Sequence, residues 1–159
     1  DLTKTPKENG SSFAENAKIK SLYGFSKTQV PCFADDSGIC IEALNWKPNI
    51  KSKRFIESFK NNDDCFRYII DRVLKTGKER ANFQTAICYT IKKNHHIVFS
   101  GMVAGKISKR VRGKKNFGYD PIFIPDGFSK TFGEMNMSEK NIFSHRSIAI
   151  NKLINFLWS

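Results

Sequence analysis

An alternation with a period of two in residues 81–107 constrains the fold of this chain more than any other feature. Apolar and polar side chains alternate along two stretches, which the short polar segment Lys93-Asn94-His95 separates. Such alternation is typical of β-strands with one buried face. The sequence therefore predicts a long β-hairpin with its turn at residues 93–95. Adjacent side chains on a strand point in opposite directions, so we predict no catalytic role for His95 and His96 at this turn.

Three helices are predicted around the hairpin. In residues 63–76 the apolar side chains recur at helical spacing, and Gly77 provides a C-terminal stop. Ser12 and Glu15 match a capping box, so a helix is expected from there to about Phe25. Ser138 is predicted to open the last helix. The predicted buried positions of the three helices are Phe13, Ala17, Ile19, Leu22, Phe66, Ile69, Ile70, Val73, Leu74, Ile142, Ala149, Leu153 and Phe156.

Shorter extended segments complete the predicted sheet. Residues 30–34, 39–44 and 119–124 are apolar runs, and the Asp-Asp-Ser-Gly of residues 35–38 is typical of a turn between the first two. Residues 45–60 contain Pro, Asn and five Lys or Arg, which indicates a loop that ends in a short helix. The order of these segments predicts an α/β fold with a mixed sheet, and a chain of 159 residues is typical of one domain.

The charge balance favours a polyanionic partner. The chain has 27 Lys and Arg against 15 Asp and Glu, a formal net charge of +12. Nucleic acid or nucleotide phosphates fit that charge, although a solvated lysine-rich surface explains most single lysines equally well. The four cysteines form no C-x-x-C pair and lie among apolar residues, which predicts reduced thiols and a cytoplasmic location. No apolar stretch approaches the roughly 18 residues of a membrane span, so we predict no membrane partner.

Two adjacent acids, Asp35 and Asp36, lie in the stretch FADDSG. Like charges this close raise each other's pKa unless a cation compensates them, and a carboxylate pair at the end of a strand is suited to hold Mg²⁺. An Asx-turn would explain the same residues without a ligand. Glu15 is a further candidate for the metal, although the capping box already explains its spacing.

Two further stretches suit an anionic ligand. Six Lys or Arg lie between residues 106 and 115, just before Phe117 and Gly118, and this loop could bind phosphates in a nucleotide site or in an RNA-binding loop. Lys140 lies in the first turn of the last predicted helix, where a cation opposes the helix dipole unless a phosphate binds there. His145 and Arg146 follow, and both can donate hydrogen bonds to a carbonyl group.

Four motifs in a fixed order carry more information than any one of them. They are SFAENA at residues 12–17, ADDSG at 34–38, NFGYDPIF at 116–123 and SEKNIFSHR at 138–146. In this order they closely resemble the inosine triphosphate pyrophosphatase family, from about residue 11 to the C-terminus. The resemblance implies an elongated α/β body in which a long, twisted, mixed sheet carries flanking helices and two lobes enclose a central cleft. It also implies a homodimer, Mg²⁺ as cofactor, and cleavage of ITP, dITP and XTP to a monophosphate and pyrophosphate.

The same resemblance implies roles for individual residues. Asp36 would be the proton acceptor, and Asp36 and Glu15 would be the ligands of Mg²⁺. His145 and Arg146 would contact the 6-oxo edge of the purine, and residues 117–120 would line the pocket for the base. The substrate contacts that it implies are Ser37, Phe117, Gly118, Tyr119, Asp120, Lys140, His145 and Arg146.

The chain departs from the family pattern in two places. The family begins with a strand and a T/S-x-N-x-x-K loop that grips the triphosphate, and residues 1–10 do not match it, so we expect a single domain over residues 1–159 that lacks this strand and loop. In residues 45–55 the family's P-G-x-x-S/A-A-R core is only partly kept. An inactive truncated relative, a basic RNA- or DNA-binding module and a pyrophosphatase for modified pyrimidines are the alternatives. FGYDPIF and SHR favour the purine enzyme, for which no stable nucleic-acid partner is expected.

Overall fold

A five-stranded sheet forms the centre of the computed structural model, which describes residues 6–114 and 118–159. The strands are β1 (Cys32–Ile41), β2 (Lys47–Pro48), β3 (Arg80–Lys92), β4 (His95–Ile107) and β5 (Phe123–Pro125). Their order across the sheet is β2-β1-β3-β4-β5. The α/β class is confirmed. Between these strands every pairing is antiparallel, where we predicted a mixed sheet, because the segment between β1 and β3 returns the chain in the opposite direction.

Five α-helices flank the sheet within the described residues. They are α1 (Phe13–Thr28), α2 (Ser52–Glu57), α3 (Asn62–Thr76), α4 (Met137–Phe143) and α5 (His145–Trp158). Ser12 is the N-cap of α1, as predicted, and its hydroxyl oxygen accepts a hydrogen bond from the backbone N–H of Glu15. Gly77 ends α3, as predicted, with a φ of 70° that a residue without a Cβ adopts at little cost.

The predicted hairpin is confirmed. β3 and β4 have 13 residues each and are joined by a turn at Lys93 and Asn94. Their pairing runs from Arg80 opposite Lys106 to Thr90 opposite His96, with one irregularity between Thr90 and Lys92. At about 3.4 Å per residue, each strand is roughly 40 Å long. This pair of strands is the frame that the helices and β1 are packed against.

β1 is one continuous strand, whereas we predicted two short strands with a turn at residues 35–38. All ten of its residues have a partner in β3, from Cys32 opposite Thr90 to Ile41 opposite Ala81. The ladder to β3 therefore outweighs the turn preference of Asp, Ser and Gly. Gly38 has another use, because a Cβ there would lie 2.4 Å from the carbonyl oxygen of Asn49 and 2.5 Å from Oγ of Ser52. Its hydrogen side chain allows the segment before α2 to pack on the strand.

The apolar core is divided along the long strands. The largest cluster lies at one end of the sheet, where α3 and the segment around β5 pack on the end of β1 and the start of β3. At the middle of β3, α1 covers one face through Ala17 against Ala86, and α5 covers the opposite face through Ala149 against Ile87. The sheet thus has a thick core at one end, and at the middle of β3 it is covered by a single helix on each face.

The last predicted helix is two helices. α4 begins at Met137, one residue before the predicted Ser138, and it ends at Phe143. Asn136 is its N-cap. α5 begins at His145, and the Oγ of its N-cap Ser144 accepts a hydrogen bond from the backbone N–H of Ser147 at 3.2 Å. Ser144 is thus a second helix start, which we did not predict because a continuous helical pattern hides it. His145 and Arg146 consequently occupy the first turn of α5.

Most predicted buried positions are confirmed, and five are not. Leu74, Ile142 and Phe156 are exposed, and Ile19 and Leu22 are only partly buried. In α1 the polar side chains of Asn16 and Ser21 are buried instead. They replace apolar residues because each has a partner on the sheet, Asp36 for Asn16 and Thr90 for Ser21.

Two predictions from composition can be compared with the structure. All four cysteines are free thiols, and Cys40, Cys65 and Cys88 are buried. Among residues 6–114 and 118–159, no helix is long and apolar enough to cross a membrane.

Candidate active site

Asp36 lies on the face of β1 that α1 covers. The amide nitrogen of Asn16 donates a hydrogen bond to its Oδ2 at 3.1 Å, and Nζ of Lys20 lies 3.1 Å from its Oδ1. The side chain is largely buried, and this burial raises the pKa of the carboxyl group above its ordinary value, although the bonds from Lys20 and Asn16 act in the opposite direction. A carboxylate in this setting is a stronger base than an exposed one.

A second acid, Glu8, shares the same cation. Nζ of Lys20 lies 3.3 Å from Oε1 of Glu8, so one ammonium group stands between the carboxylates of Glu8 and Asp36. The charge of Glu8 contributes to the raised pKa of Asp36. Sequence reasoning did not find Glu8, Asn16 or Lys20. The one available signal was that Asn16 and Lys20 are four residues apart, on one face of a helix where an apolar stripe was expected.

Glu15 has its own partner. Its Oε2 accepts hydrogen bonds from the backbone N–H of Ser11 at 2.6 Å and from the Ser11 hydroxyl at 2.8 Å. These bonds lower the pKa of the Glu15 carboxyl group, which is exposed to solvent. Within the described residues, no hydrogen bond or ion pair joins its carboxylate to Asp36, and the acid that shares a cation with Asp36 is Glu8.

Asp35 lies on the opposite face of β1. Its Oδ2 accepts a hydrogen bond from the Ser37 hydroxyl at 3.0 Å, and Nε of Arg146 lies 3.4 Å from the same oxygen. The Ser37 hydroxyl is also 2.7 Å from Oγ1 of Thr85. The two adjacent aspartates therefore avoid each other because the strand directs them to different faces, where each meets a different cation.

A cavity of about 600 Å³ gathers four of the predicted substrate contacts on the Asp35 side of the sheet. Asp120, Lys140, His145 and Arg146 all line it. Nζ of Lys140 donates a short hydrogen bond to Oδ2 of Asp120, which is buried. Burial raises the pKa of Asp120, and the charges of Lys140 and Arg146 oppose that effect. The described lining of the cavity thus combines the buried carboxylate of Asp120 and the carboxylate of Glu134 with three cationic groups, those of Lys114, Lys140 and Arg146.

His145 forms part of the wall of this cavity. Its imidazole stacks on the ring of Phe83, with ring centroids 4.8 Å apart and an interplanar angle of 9°. Burial, reinforced by the positive charges of Arg146 and Lys140, lowers the pKa of His145 to about 3, so the ring is neutral at physiological pH. Its Nδ1 is buried without a hydrogen-bond partner among the described residues. A neutral imidazole offers one donor and one acceptor.

The remaining predicted contacts are placed differently. The Tyr119 hydroxyl is buried and donates a hydrogen bond to the carbonyl oxygen of Ser52 at 2.6 Å, and burial raises the pKa of this phenol. Gly118 is exposed, with a φ of 40°. Neither residue lines the cavity that contains Asp120. Phe117 lies outside the residues that the structure describes.

Nearly the whole chain matches a known protein family. A sequence model of the Ham1 family aligns with residues 1–156. This chain belongs to the Ham1 family. Two bacterial relatives, both named dITP/XTP pyrophosphatase, support this assignment. The protein of Christiangramia forsetii is 37% identical over 150 residues and that of Aquifex aeolicus is 35% identical over 159 residues. Each match covers 94% of this chain and 78% of the relative, and the resemblance predicted from the four motifs is confirmed.

Solved structures of Ham1 proteins share the fold. The Ham1 protein of Staphylococcus aureus superimposes with a TM-score of 0.88 at 34% identity, over 98% of this chain and 81% of that protein. A HAM1 protein from Coxiella burnetii gives a TM-score of 0.89 at 32% identity, over 97% of this chain and 80% of that protein. The elongated sheet and its flanking helices are therefore the fold of the family.

The described acids of this Ham1 chain offer a hard divalent cation two carboxylate ligands and not three. No group of three or more His, Cys, Asp or Glu side chains is placed to hold a metal within residues 6–114 and 118–159. The carboxylates of Glu8 and Asp36, however, both lie next to one positive charge, the ammonium group of Lys20. Mg²⁺ is commonly held by one or two carboxylates together with water and substrate phosphates, so two acids are sufficient for it.

Proposed function

We propose that this protein hydrolyses ITP, dITP and XTP between the α and β phosphates, releases a nucleoside monophosphate and pyrophosphate, and so removes deaminated purines from the nucleotide pool. The observation that carries the proposal is the cavity of about 600 Å³ on the Asp35 side of β1, in which the predicted substrate contacts Asp120, Lys140, His145 and Arg146 come together. The guanidinium of Arg146 also pairs with Asp35, and Asp36 follows Asp35 on the opposite face of the strand. The names of the relatives support the same reaction.

We propose that the reaction uses Mg²⁺. Asp36 would be one ligand, and for the second we replace the predicted Glu15 by Glu8, since the Glu8 carboxylate shares a cation with Asp36. When bound, Mg²⁺ would neutralise phosphate oxygens and favour the departure of pyrophosphate. Lys20 adds a positive charge at the same place, and the substrate phosphates would compete with Glu8 for it.

Asp36 is the proposed proton acceptor. A water molecule would attack phosphorus, the water proton would pass to the Asp36 carboxylate, and the bond between the α and β phosphates would break. The buried setting of Asp36 makes it a better base than an exposed aspartate, and the hydrogen bond from Asn16 fixes the direction of one of its oxygens. Positioning and charge neutralisation would supply the rest of the catalysis, as in phosphoryl transfer generally.

The cavity is the proposed site of the purine. Arg146 is a permanent donor, and His145 is neutral, so it can present one N–H to the 6-oxo group of hypoxanthine or xanthine. Adenine carries an amino group at this position and would leave these donors unpaired, which costs free energy in a buried site. The predicted contacts of Ser37, Phe117, Gly118, Tyr119, Asp120 and Lys140 with substrate are part of this proposal.

We also propose a single domain over residues 1–159, a homodimer and a cytoplasmic location, for which the free thiols are suited. The nucleic-acid-binding alternative has no support from the family relationship, since the relatives are named as pyrophosphatases.

The proposed function is tested by pyrophosphate release from dITP in the presence of Mg²⁺. Asp36→Asn should lower turnover by about 10²-fold or more, since it removes the proton acceptor. Asp126→Asn, which changes an exposed acid paired with Arg80, should leave turnover unchanged. Retention of oligonucleotides on a filter without release of pyrophosphate, or equal turnover of Asp36→Asn and the unaltered protein, would contradict the proposal.

A further inference from the structure

Residues 8–11 have no regular secondary structure, yet hydrogen bonds tie them down at three points. The backbone N–H of Gly10 donates to Oδ1 of Asn16 at 2.9 Å, and Ser11 donates twice to Oε2 of Glu15. The guanidinium of Arg54 donates to the carbonyl oxygen of Glu8 at 2.9 Å. Two adjacent residues in the first turn of α1 therefore hold the segment that carries Glu8.

Asn16 connects this segment to Asp36. Its oxygen accepts from Gly10, and its amide nitrogen donates to Oδ2 of Asp36 at 3.1 Å. The side chain is 2% exposed, so it has little freedom to exchange these partners for water. The segment also lies directly against the helix, since a Cβ on Gly10 would be 2.7 Å from both Oδ1 of Asn16 and Cβ of Glu15.

Glu15 holds Ser11, the residue after Gly10, from the solvent side of the segment. One carboxylate oxygen receives both the N–H and the hydroxyl of Ser11. These bonds favour the ionised carboxylate, in agreement with the direction of its pKa shift. Because one side chain accepts two hydrogen bonds from Ser11, it can order a short segment even though it is exposed.

We propose that Glu15 and Asn16 are positioning residues that clamp residues 8–11 onto α1 and thereby hold the Glu8 carboxylate opposite Asp36. Glu15 then acts through Ser11 and not by contact with the metal. The part of this inference that concerns the metal rests on the proposed function, whereas the clamp itself is a property of the chain alone.

Two variants of one residue separate a clamp from a ligand. Glu15→Gln keeps a side-chain oxygen that can accept from Ser11, whereas Glu15→Ala removes it. A ligand role requires the charge, so both variants would weaken metal binding alike. A clamp role requires only the acceptor, so Glu15→Gln should bind metal within about twofold of the unaltered protein and Glu15→Ala about tenfold more weakly, as for other groups that orient a ligand.

The first measurement is the binding of Mn²⁺ to the nucleotide-free protein, followed through the electron paramagnetic resonance signal of the free ion. Glu8→Gln should weaken Mn²⁺ binding about tenfold or more, because it removes a direct ligand. Glu139→Ala is the matched control, since Glu139 also accepts a backbone N–H in the first turn of a helix, that of Asn136 at 2.8 Å, and is not near Glu8 in the chain. This control should bind Mn²⁺ as the unaltered protein does.

The second measurement does not involve metal. Hydrogen exchange should show the Ser11 amide exchanging about tenfold faster in Glu15→Ala than in the unaltered protein or in Glu15→Gln, because only Glu15→Ala removes the side-chain oxygen that accepts the Ser11 N–H. Unchanged exchange at Ser11 would overturn the clamp. Equal loss of Mn²⁺ binding in both Glu15 variants would overturn it as well, in favour of a direct ligand.

The two hypotheses fail in different ways. If the unaltered protein binds no Mn²⁺ but exchange at Ser11 responds as expected, Glu8 and Asp36 do not hold a metal without nucleotide, so the part of the inference that concerns the metal is wrong and the clamp stands. If Glu8→Gln weakens Mn²⁺ binding but neither Glu15 variant alters binding or exchange, the metal site stands and the clamp is wrong.

Discussion

His145 is an ionisable side chain that the fold keeps neutral. Its folded pKa of about 3 lies below the ordinary value of 6.5, so between these two pH values the unfolded chain binds a proton that the folded chain does not. The free energy of unfolding should therefore fall as the pH is lowered through this range, by at most about 1.4 kcal/mol per pH unit for one group, and be unaffected by His145 above it.

His145→Phe should remove this dependence while keeping a ring against Phe83. The measurement is urea unfolding at intervals between about pH 7 and pH 4.5, with the slope compared between the two proteins. Asp36 and Asp120 have raised pKa values, act with the opposite sign at lower pH and are present in both proteins, so they cancel in the difference. Parallel curves for the two proteins would show that His145 titrates normally in the folded state.

Gly101 fixes the distance between β4 and the start of α5. A Cβ at this position would lie 2.0 Å from the carbonyl oxygen of His145 and 2.9 Å from the backbone nitrogen of Ala149. Gly101→Ala should therefore push the first turn of α5 away from the sheet, lower the free energy of unfolding by about 1–3 kcal/mol and raise KM for dITP. Steady-state kinetics and urea unfolding measure both effects.

Gly24→Ala is the control for Gly101→Ala. A Cβ on Gly24 would lie 3.3 Å from Sγ of Cys32, and small adjustments of that side chain can relieve this contact. The substitution also gains helix propensity inside α1. Stability and KM close to those of the unaltered protein are expected, and a KM effect as large as that of Gly101→Ala would mean that loss of a glycine, not displacement of α5, is responsible.

At the scale of a single element, the separation of α4 from α5 depends on Ser144. Its hydroxyl caps α5 and lies 2.7 Å from Oγ of Ser147. Ser144→Ala should lower the free energy of unfolding by about 1 kcal/mol, the usual cost of a lost N-cap. Because His145 and Arg146 lie in the uncapped turn, KM for dITP should rise as well.

Asn61→Ala gives the comparison for Ser144→Ala. Asn61 caps α3 through the backbone N–H of Asp64 at 2.9 Å, and α3 packs in the large core without lining the cavity of His145. Thermal unfolding should show a similar loss of stability in the two variants, while only Ser144→Ala raises KM. A rise in KM for both would indicate a general effect of reduced stability.

The elements that could be predicted from the sequence are those defined by neighbours in the chain. The hairpin, the N-cap Ser12 and the stop at Gly77 follow local rules and are confirmed. The turn predicted at residues 35–38 was wrong because pairing with β3, about 50 residues further along the chain, decides its conformation. Ser144 was missed since a cap between two helical patterns leaves no gap in the apolar spacing.

The residues of the candidate site divide in the same way, into those that local sequence motifs indicate and those that only the folded structure brings together. Asp120, Lys140, His145 and Arg146 were found through motifs, and the structure brings them to one cavity. Glu8, Asn16 and Lys20 were not found because their relation to Asp36 exists only after α1 packs on β1. The pairing of Asp35 with Arg146 joins residues 111 positions apart, for which no local pattern exists.

At the scale of the whole molecule, the net charge of +12 should act on the rate of substrate capture. A triphosphate is strongly anionic, and attraction between opposite charges accelerates encounter at low salt. Raising NaCl from about 0.05 M to about 0.5 M shortens the screening length several-fold, so kcat/KM for dITP should fall while kcat at saturating substrate changes less. The measurement keeps Mg²⁺ constant, and a kcat/KM independent of salt would show that the surplus lysines do not guide the substrate.

Because side chains alternate between the two faces of β1, the number of residues before Asp35 decides which face each aspartate occupies. Because Asp35 and Asp36 differ only in which side of the sheet they face, an insertion or deletion of one residue between Cys32 and the pair would interchange the acid beneath α1 with the acid beside Arg146. A change of two residues would preserve the assignment. Homologues of different length in this stretch are therefore expected to differ by even numbers, or to carry a compensating bulge.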